Sequence, residues 1–173
     1  MSEEGNVTSS LKFEEDVQPS AGILSQYVKD LSVENPNAPE SFQWTDQPQM
    51  DIQFNIAARA IQPTVHEAEL KITLAAKHEA GTAYIVDLTF AGLIAMQGLD
   101  EGQMHAFIFA EAPRLLFPFA RRVLADAVRD AGFGPMLLEP IDFGALYFQQ
   151  MQAQAEGQGE TPDIATAEPA GHA

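Results

Sequence analysis

Four stretches of alternating polarity between Tyr27 and Phe90, followed by two stretches of helical periodicity after Pro118, predict an α+β fold. Strands that come first and helices that follow, with no strand–helix–strand alternation, give a four-stranded antiparallel sheet with two main helices packed on one face.

The elements follow in chain order. Residues 1–25 are acidic, turn-rich and without sustained periodicity, and are expected to form a disordered extension. They lack a basic n-region and a long apolar core, so no signal peptide is expected. In the first strand Tyr27, Lys29, Leu31 and Val33 share one face, and Val28, Asp30, Ser32 and Glu34 the other. Pro36 and Pro39 end it. A long connection carries Phe42, Trp44 and Pro48, with Trp44 either a packed lid residue or part of a peptide site. Strand two alternates Met50, Ile52, Phe54 and Ile56 with Asp51, Gln53 and Asn55. Strand three sets Ala68, Leu70, Ile72, Leu74 and Ala76 against Glu67, Glu69, Lys71, Thr73 and Lys77. Strand four sets Tyr84, Val86, Leu88 and Phe90 against Ile85, Asp87 and Thr89, with a bulge or bend expected at Gly92.

Asp100 is placed to cap a short helical segment, Glu101 to Glu111, which Pro113 should break. The first main helix is expected to begin with Pro118 at its first position and to stop at Gly132 in the left-handed C′ position. Phe119, Ala120, Val123, Leu124, Ala127, Val128 and Ala131 fill half of its wheel, wide enough for two partners or for deep burial in a monomer. Asp142 should cap the second helix, along which Phe143, Leu146, Tyr147 and Met151 recur on one face. Between the helices, Phe133, Met136, Leu137 and Leu138 make a Gly/Pro-rich loop apolar, either as core or as the wall of a groove. The tail after Gln152 lacks any basic residue and is expected to be disordered.

Composition excludes several functions. There is no cysteine, so thiol catalysis, disulfides and cysteine zinc sites are out. With 25 acidic and 9 basic side chains the formal charge is −16, which repels nucleic acid and anionic membrane alike. The apolar run Leu88 to Leu99 is too short to span a bilayer, so membrane insertion is not expected and a cytoplasmic protein is. His105 lies four residues after Glu101 but reads as a packed helix histidine. His66 and His78 have no matching ligand cluster, and no Gly-rich loop opens a helix for phosphate. No enzyme activity and no cofactor are expected.

Two motifs carry a family resemblance. LLFPFAR…AGFGPMLLEPIDFGALY and Tyr27-Val28-Lys29-Asp30-Leu31-Ser32-Val33-Glu34-Asn35-Pro36-Asn37-Ala38-Pro39 resemble, in order and spacing, the SecB protein-export chaperones. The resemblance spans Gln26 to Gln152, which divides the chain into an extension (1–25), a SecB-like domain (26–152) and a tail (153–173). It departs from the family at Asp46, where a tryptophan often stands two positions before the proline.

The resemblance implies an ATP-independent cytosolic holdase that captures unfolded preproteins and passes them to the SecA translocation ATPase. It implies a homotetramer assembled as a dimer of dimers, with Phe119, Val123, Leu124, Ala127 and Val128 at the helix interface. The acidic SecA patch maps onto Asp30, Glu34, Ile85 and Asp87, any zinc belonging to SecA. Clients would bind a groove of Phe42, Trp44, Phe133, Met136, Leu137, Phe143 and Tyr147. The alternative is a small-molecule or lipid carrier using the same cavity, which would require a few convergent polar groups.

Overall fold

The computed structural model describes residues 18–156. Its sheet has four strands, β1 (Ser20–Glu34), β2 (Gln49–Gln62), β3 (Val65–His78) and β4 (Gly81–Gln97). They run antiparallel in the order β1-β4-β3-β2, which leaves β1 and β2 as edges. The helices are α1 (Glu101–Ala106), α2 (Ala112–Asp130) and α3 (Phe143–Glu156). This is the predicted α+β architecture.

The core lies between one sheet face and α2. Leu70, Ile72 and Leu74 of β3 and Val86, Leu88 and Phe90 of β4 meet Leu116, Phe117, Ala120, Leu124 and Val128. Burying each large member stabilises the fold by about 1.5–3 kcal/mol before entropy is counted. A smaller cluster of Ala68, Ile94, Met96, Ile108 and Ala112 closes the far end of the sheet. Gly92 marks no bulge in β4. A Cβ there would lie 2.9 Å from Leu116 Cδ2, so the glycine permits close helix–sheet approach.

Three expectations of the local pattern change. β1 starts at Ser20, seven residues before the strand was expected, because Ala21 and Ile23 pair with Met96 and Ile94 and pack on the smaller cluster. α3 continues past Gln152 to Glu156. Residues 20–25 and 153–156 therefore belong to the folded unit, and the remainder of both expected tails lies outside the described residues. Within β1 the pairing shifts between Val28 and Asp30, placing Lys29 in a bulge. Strict alternation fails there. Lys29 joins Tyr27, Asp30, Ser32 and Glu34 on the outer face, while Val28, Leu31 and Val33 point to the helix side.

The helical run is also more continuous than proline placement suggested. Pro113 does not break it. The turn Phe107–Glu111 widens to a π turn, in which the Ala112 N–H reaches back to the Phe107 carbonyl, and α2 continues from there. Pro118 consequently sits inside α2 rather than at its start, and Pro113 holds the position near the N-terminus. The predicted ends hold. Gly132 has φ +96°, its N–H bonds the Arg129 carbonyl and the Phe133 N–H bonds the Val128 carbonyl, a Schellman stop. Asp142 Oδ1 accepts the Ala145 N–H at 2.9 Å, and Asp100 and Gln103 exchange a reciprocal capping pair.

Candidate client groove and outer sheet face

Because β2 is an edge strand, its helix-side residues are only partly roofed. The 133–141 loop and α3 lie alongside it, and three hollows result, one beside Pro48 just before the strand and two against the strand itself. The first, about 590 Å³, is bounded by Phe42, Trp44, Pro48, Tyr84 and Phe133. The second, about 520 Å³, lies between Ile52 and Phe54 of β2 and Met136 to Ile141 of the loop. The third, about 100 Å³, shares Phe54 and adds Ile56, Phe143, Leu146 and Tyr147.

The structure brings six of the seven expected groove residues to these walls as accessible or half-buried side chains. Phe42 and Leu137 are exposed, the latter at 72%. Trp44, Phe133, Met136 and Tyr147 are half-buried. Phe133 stacks between Phe42 and Tyr84, with ring centroids 5.2 and 4.8 Å away. Tyr147 is held by a 2.9 Å hydrogen bond between its Oη and His105 Nδ1, and His105 packs on Phe109. Phe143 is the exception. It is 2% exposed and meets Phe117 edge-on at 5.7 Å, so it anchors α3 in the core. The apolar loop thus divides its labour: Leu138 is core, Phe133 and Met136 are shared, and Leu137 is free.

Ile52, Phe54 and Ile56 are groove residues that pattern reading assigned simply to a buried strand face. Their alternation was visible, but whether a helix covers that face depends on strand order.

The opposite face of the sheet carries the acidic set. Asp30 pairs with Thr89, Ser32 with Asp87 and Glu34 with Ile85, so Asp30, Glu34, Ile85 and Asp87 form one contiguous patch. Thr73 Oγ1 donates to Asp87 Oδ1 at 2.6 Å. Toward the other end of the same face lies a cluster that sequence reading did not single out. Glu67 is buried beneath Arg59, Lys29 and Tyr27, with Arg59 Nε 2.5 Å from Oε2 and Tyr27 Oη donating to Oε1 at 2.8 Å. Arg59 above all, with Tyr27 and Lys29 behind it, holds the carboxyl at about 2 against the opposing effect of burial.

The expected interface residues of α2 separate by exposure. Phe119 is 45% exposed and Val123 half-buried, whereas Leu124, Ala127 and Val128 are buried in the core between α2 and the sheet. The wide stripe serves that core first, and only its margin is free for a second partner. Among the described residues no cluster of three or more His, Asp or Glu could hold a metal ion, and no helix is long and apolar enough to cross a membrane.

Comparison with known proteins bears on this geometry. Residues 14–154 match the family model described as preprotein translocase subunit SecB. The protein-export protein SecB of Novosphingobium aromaticivorans is 56% identical over the whole of both chains. That of Erythrobacter litoralis is 51% identical, covering 94% of this chain and 98% of its own. A SecB-like chaperone of Mycobacterium tuberculosis, solved with a ChAD peptide from the HigA1 antitoxin, shares the fold at a TM-score of 0.59 and 20% identity. That alignment covers 70% of this chain and 90% of the other.

Proposed function

The chain belongs to the SecB family of preprotein translocase subunits, whose members are protein-export chaperones, and from that premise we propose how its surfaces divide the work. The groove along β2 takes extended, apolar segments of unfolded preproteins. Its walls are side chains of mixed size set beside a glycine-containing loop, so it accepts many sequences without reading one. The observation that carries this reading is the exposure of Phe42, Phe54 and Leu137 at the walls of these hollows, since a monomeric protein rarely leaves so much apolar surface uncovered without a partner.

The acidic patch of Asp30, Glu34, Ile85 and Asp87 docks SecA, and the two functions sit on opposite faces of one sheet. Phe119 and Val123 belong to the contact between dimers in a homotetramer. Several grooves on one tetramer raise the effective concentration of weak contacts along a single client. Capture and release need no nucleotide and take place in the cytoplasm before translocation, with neither nucleic acid nor the lipid bilayer as a partner. The groove walls and the acidic patch all lie within the described residues 18–156, and the acidic segments on either side are not required for client capture.

The test is suppression of aggregation of a chemically denatured preprotein by the purified chain, read by light scattering, together with its native mass. Saturable suppression without ATP and a fourfold assembly are the expected results. Suppression that fails, or that requires nucleotide, overturns the reading.

A further inference from the structure

The third hollow, about 100 Å³, is a fraction of the second, about 520 Å³, although both lie against β2 and share Phe54. One wall accounts for the difference. Phe143, Leu146, Tyr147 and Gln150 all come from α3, so the seat of that helix sets the width. Little fastens it. From Gly144 to Glu156 only Tyr147 and Gln154 are even half-buried, whereas Phe143 is core. α3 carries no charged side chain before Glu156, so it can form no ion pair along that length. Its polar tie is the 2.9 Å hydrogen bond between Tyr147 Oη and His105 Nδ1. Among the described residues no other α3 side chain hydrogen-bonds to another element. The bond is partly buried, and rings pack around it. The His105 centroid lies 5.5 Å from that of Tyr147 and 4.6 Å from that of Phe109. Phe109 belongs to the widened turn and lines the hollow, as Tyr147 does, but His105 does not.

A hydrogen bond shielded from water holds a helix turn that has few other contacts, yet it is weak enough to yield. We infer that His105 is a positioning residue of the client groove: through Tyr147 it draws α3 onto the Phe107–Glu111 turn and keeps the third hollow narrower than its apolar walls would otherwise leave it. The inference rests on the proposed client-binding role and adds to it a residue that sets the groove's width from outside. A client segment seated in the second hollow meets Phe54, and beyond Phe54 it can reach Ile56, Phe143 and Leu146 only by parting the His105–Tyr147 pair. The pair therefore lowers affinity for clients. In exchange it keeps this apolar surface closed while the groove is empty, which limits self-association.

The test uses the full chain, its variants and a labelled, permanently unfolded apolar polypeptide. Tyr147→Phe keeps the ring and removes Oη. His105→Phe keeps a ring on Phe109 and removes Nδ1 without altering a wall of the hollow. By fluorescence anisotropy each should bind about three- to tenfold tighter than the wild type, the worth of one partly buried neutral hydrogen bond. The double variant should bind no tighter than either single one, because both changes remove the same bond. A residue that served only the fold would lower the melting temperature without tightening binding. Hydrogen exchange gives the second readout: amides of α3 from residue 147 onward should exchange faster in both variants, and those of α2 at the wild-type rate. Unchanged exchange in α3 overturns the inference, as do gains in affinity that add in the double variant or single variants that bind no tighter than the wild type. If no form of the chain binds the polypeptide while α3 exchange responds as described, His105 still positions α3 and it is the client-binding reading that fails.

Discussion

Glu34 stands directly opposite Ile85 across the β1–β4 ladder, on the sheet face turned away from α2. Two residues further along, Ser32 faces Asp87, so Glu34 on β1 and Asp87 on β4 flank the apolar Ile85. A basic partner that also carries an apolar side chain fits that arrangement.

Asp30→Lys with Glu34→Lys should therefore abolish SecA binding in a titration and leave suppression of client aggregation unchanged. Docking by the wild type should weaken as salt rises, because exposed charges more than about 8 Å apart are screened at physiological ionic strength. Normal SecA binding by the double variant would remove the patch from the docking site.

Acid should expose the second cluster on this face. The Glu67 carboxyl titrates at about 2, below its ordinary 4.5, chiefly because Arg59 bonds it. Since the folded value is depressed, its contribution to stability is complete above about pH 4.5 and is lost as pH falls toward 2. Arg59 is 64% exposed, so solvent screening reduces the contribution to roughly 1–3 kcal/mol. Urea unfolding of Glu67→Gln should show that loss at pH 7 and a flatter decline in acid than the wild type. Identical pH profiles would mean that the cluster contributes nothing.

Neighbouring loop residues should behave oppositely. Leu137→Asp places a charge on a side chain 72% exposed, so melting should stay near normal and client suppression fall. Leu138→Asp forces a carboxylate into a site 5% exposed and should cost several kcal/mol, enough to unfold much of the protein. A collapsed melting temperature for Leu137→Asp would return the whole loop to the core.

On α2, Phe119→Glu with Val123→Glu should split the proposed tetramer into dimers that remain folded, as read by native mass and circular dichroism. Leu124→Ala should act differently, destabilising each protomer by about 2–5 kcal/mol through a cavity beneath the helix. A tetramer that survives the double change would place the contact elsewhere.

What the sequence made legible was whatever depends on neighbours in the chain. The alternation of β2, β3 and β4, the Gly132 stop and the Asp142 cap are local, and each stands as read. The strand parity of β1 failed at Lys29 because a bulge is a property of the pairing, and the pairing partner lies some sixty residues away in β4. Phe143 looked like a groove residue because it recurs with Leu146 and Tyr147 on one helix face. Only the position of Phe117 shows that it faces inward. Glu67 gave no signal at all. An acidic residue on a polar strand face is ordinary until Arg59, Lys29 and Tyr27 from two other strands are seen to close over it.

The widened turn at Phe107–Glu111 has a bearing on how this chain tolerates changes in length. A π turn holds one more residue than the α turn it replaces, while the segments before and after it keep their facing. Ile108 and Ala112 serve the small cluster at one end of the sheet, and Leu116 onward serves the main core. Loss of a single residue other than Ile108 within 107–111 would tighten the turn to the ordinary ladder and leave both clusters correctly addressed. The same loss between 116 and 124 would rotate every later side chain by about 100° and carry the charged Arg129 into the buried position of Val128. Length variation in this helical run is therefore confined by geometry to one short window.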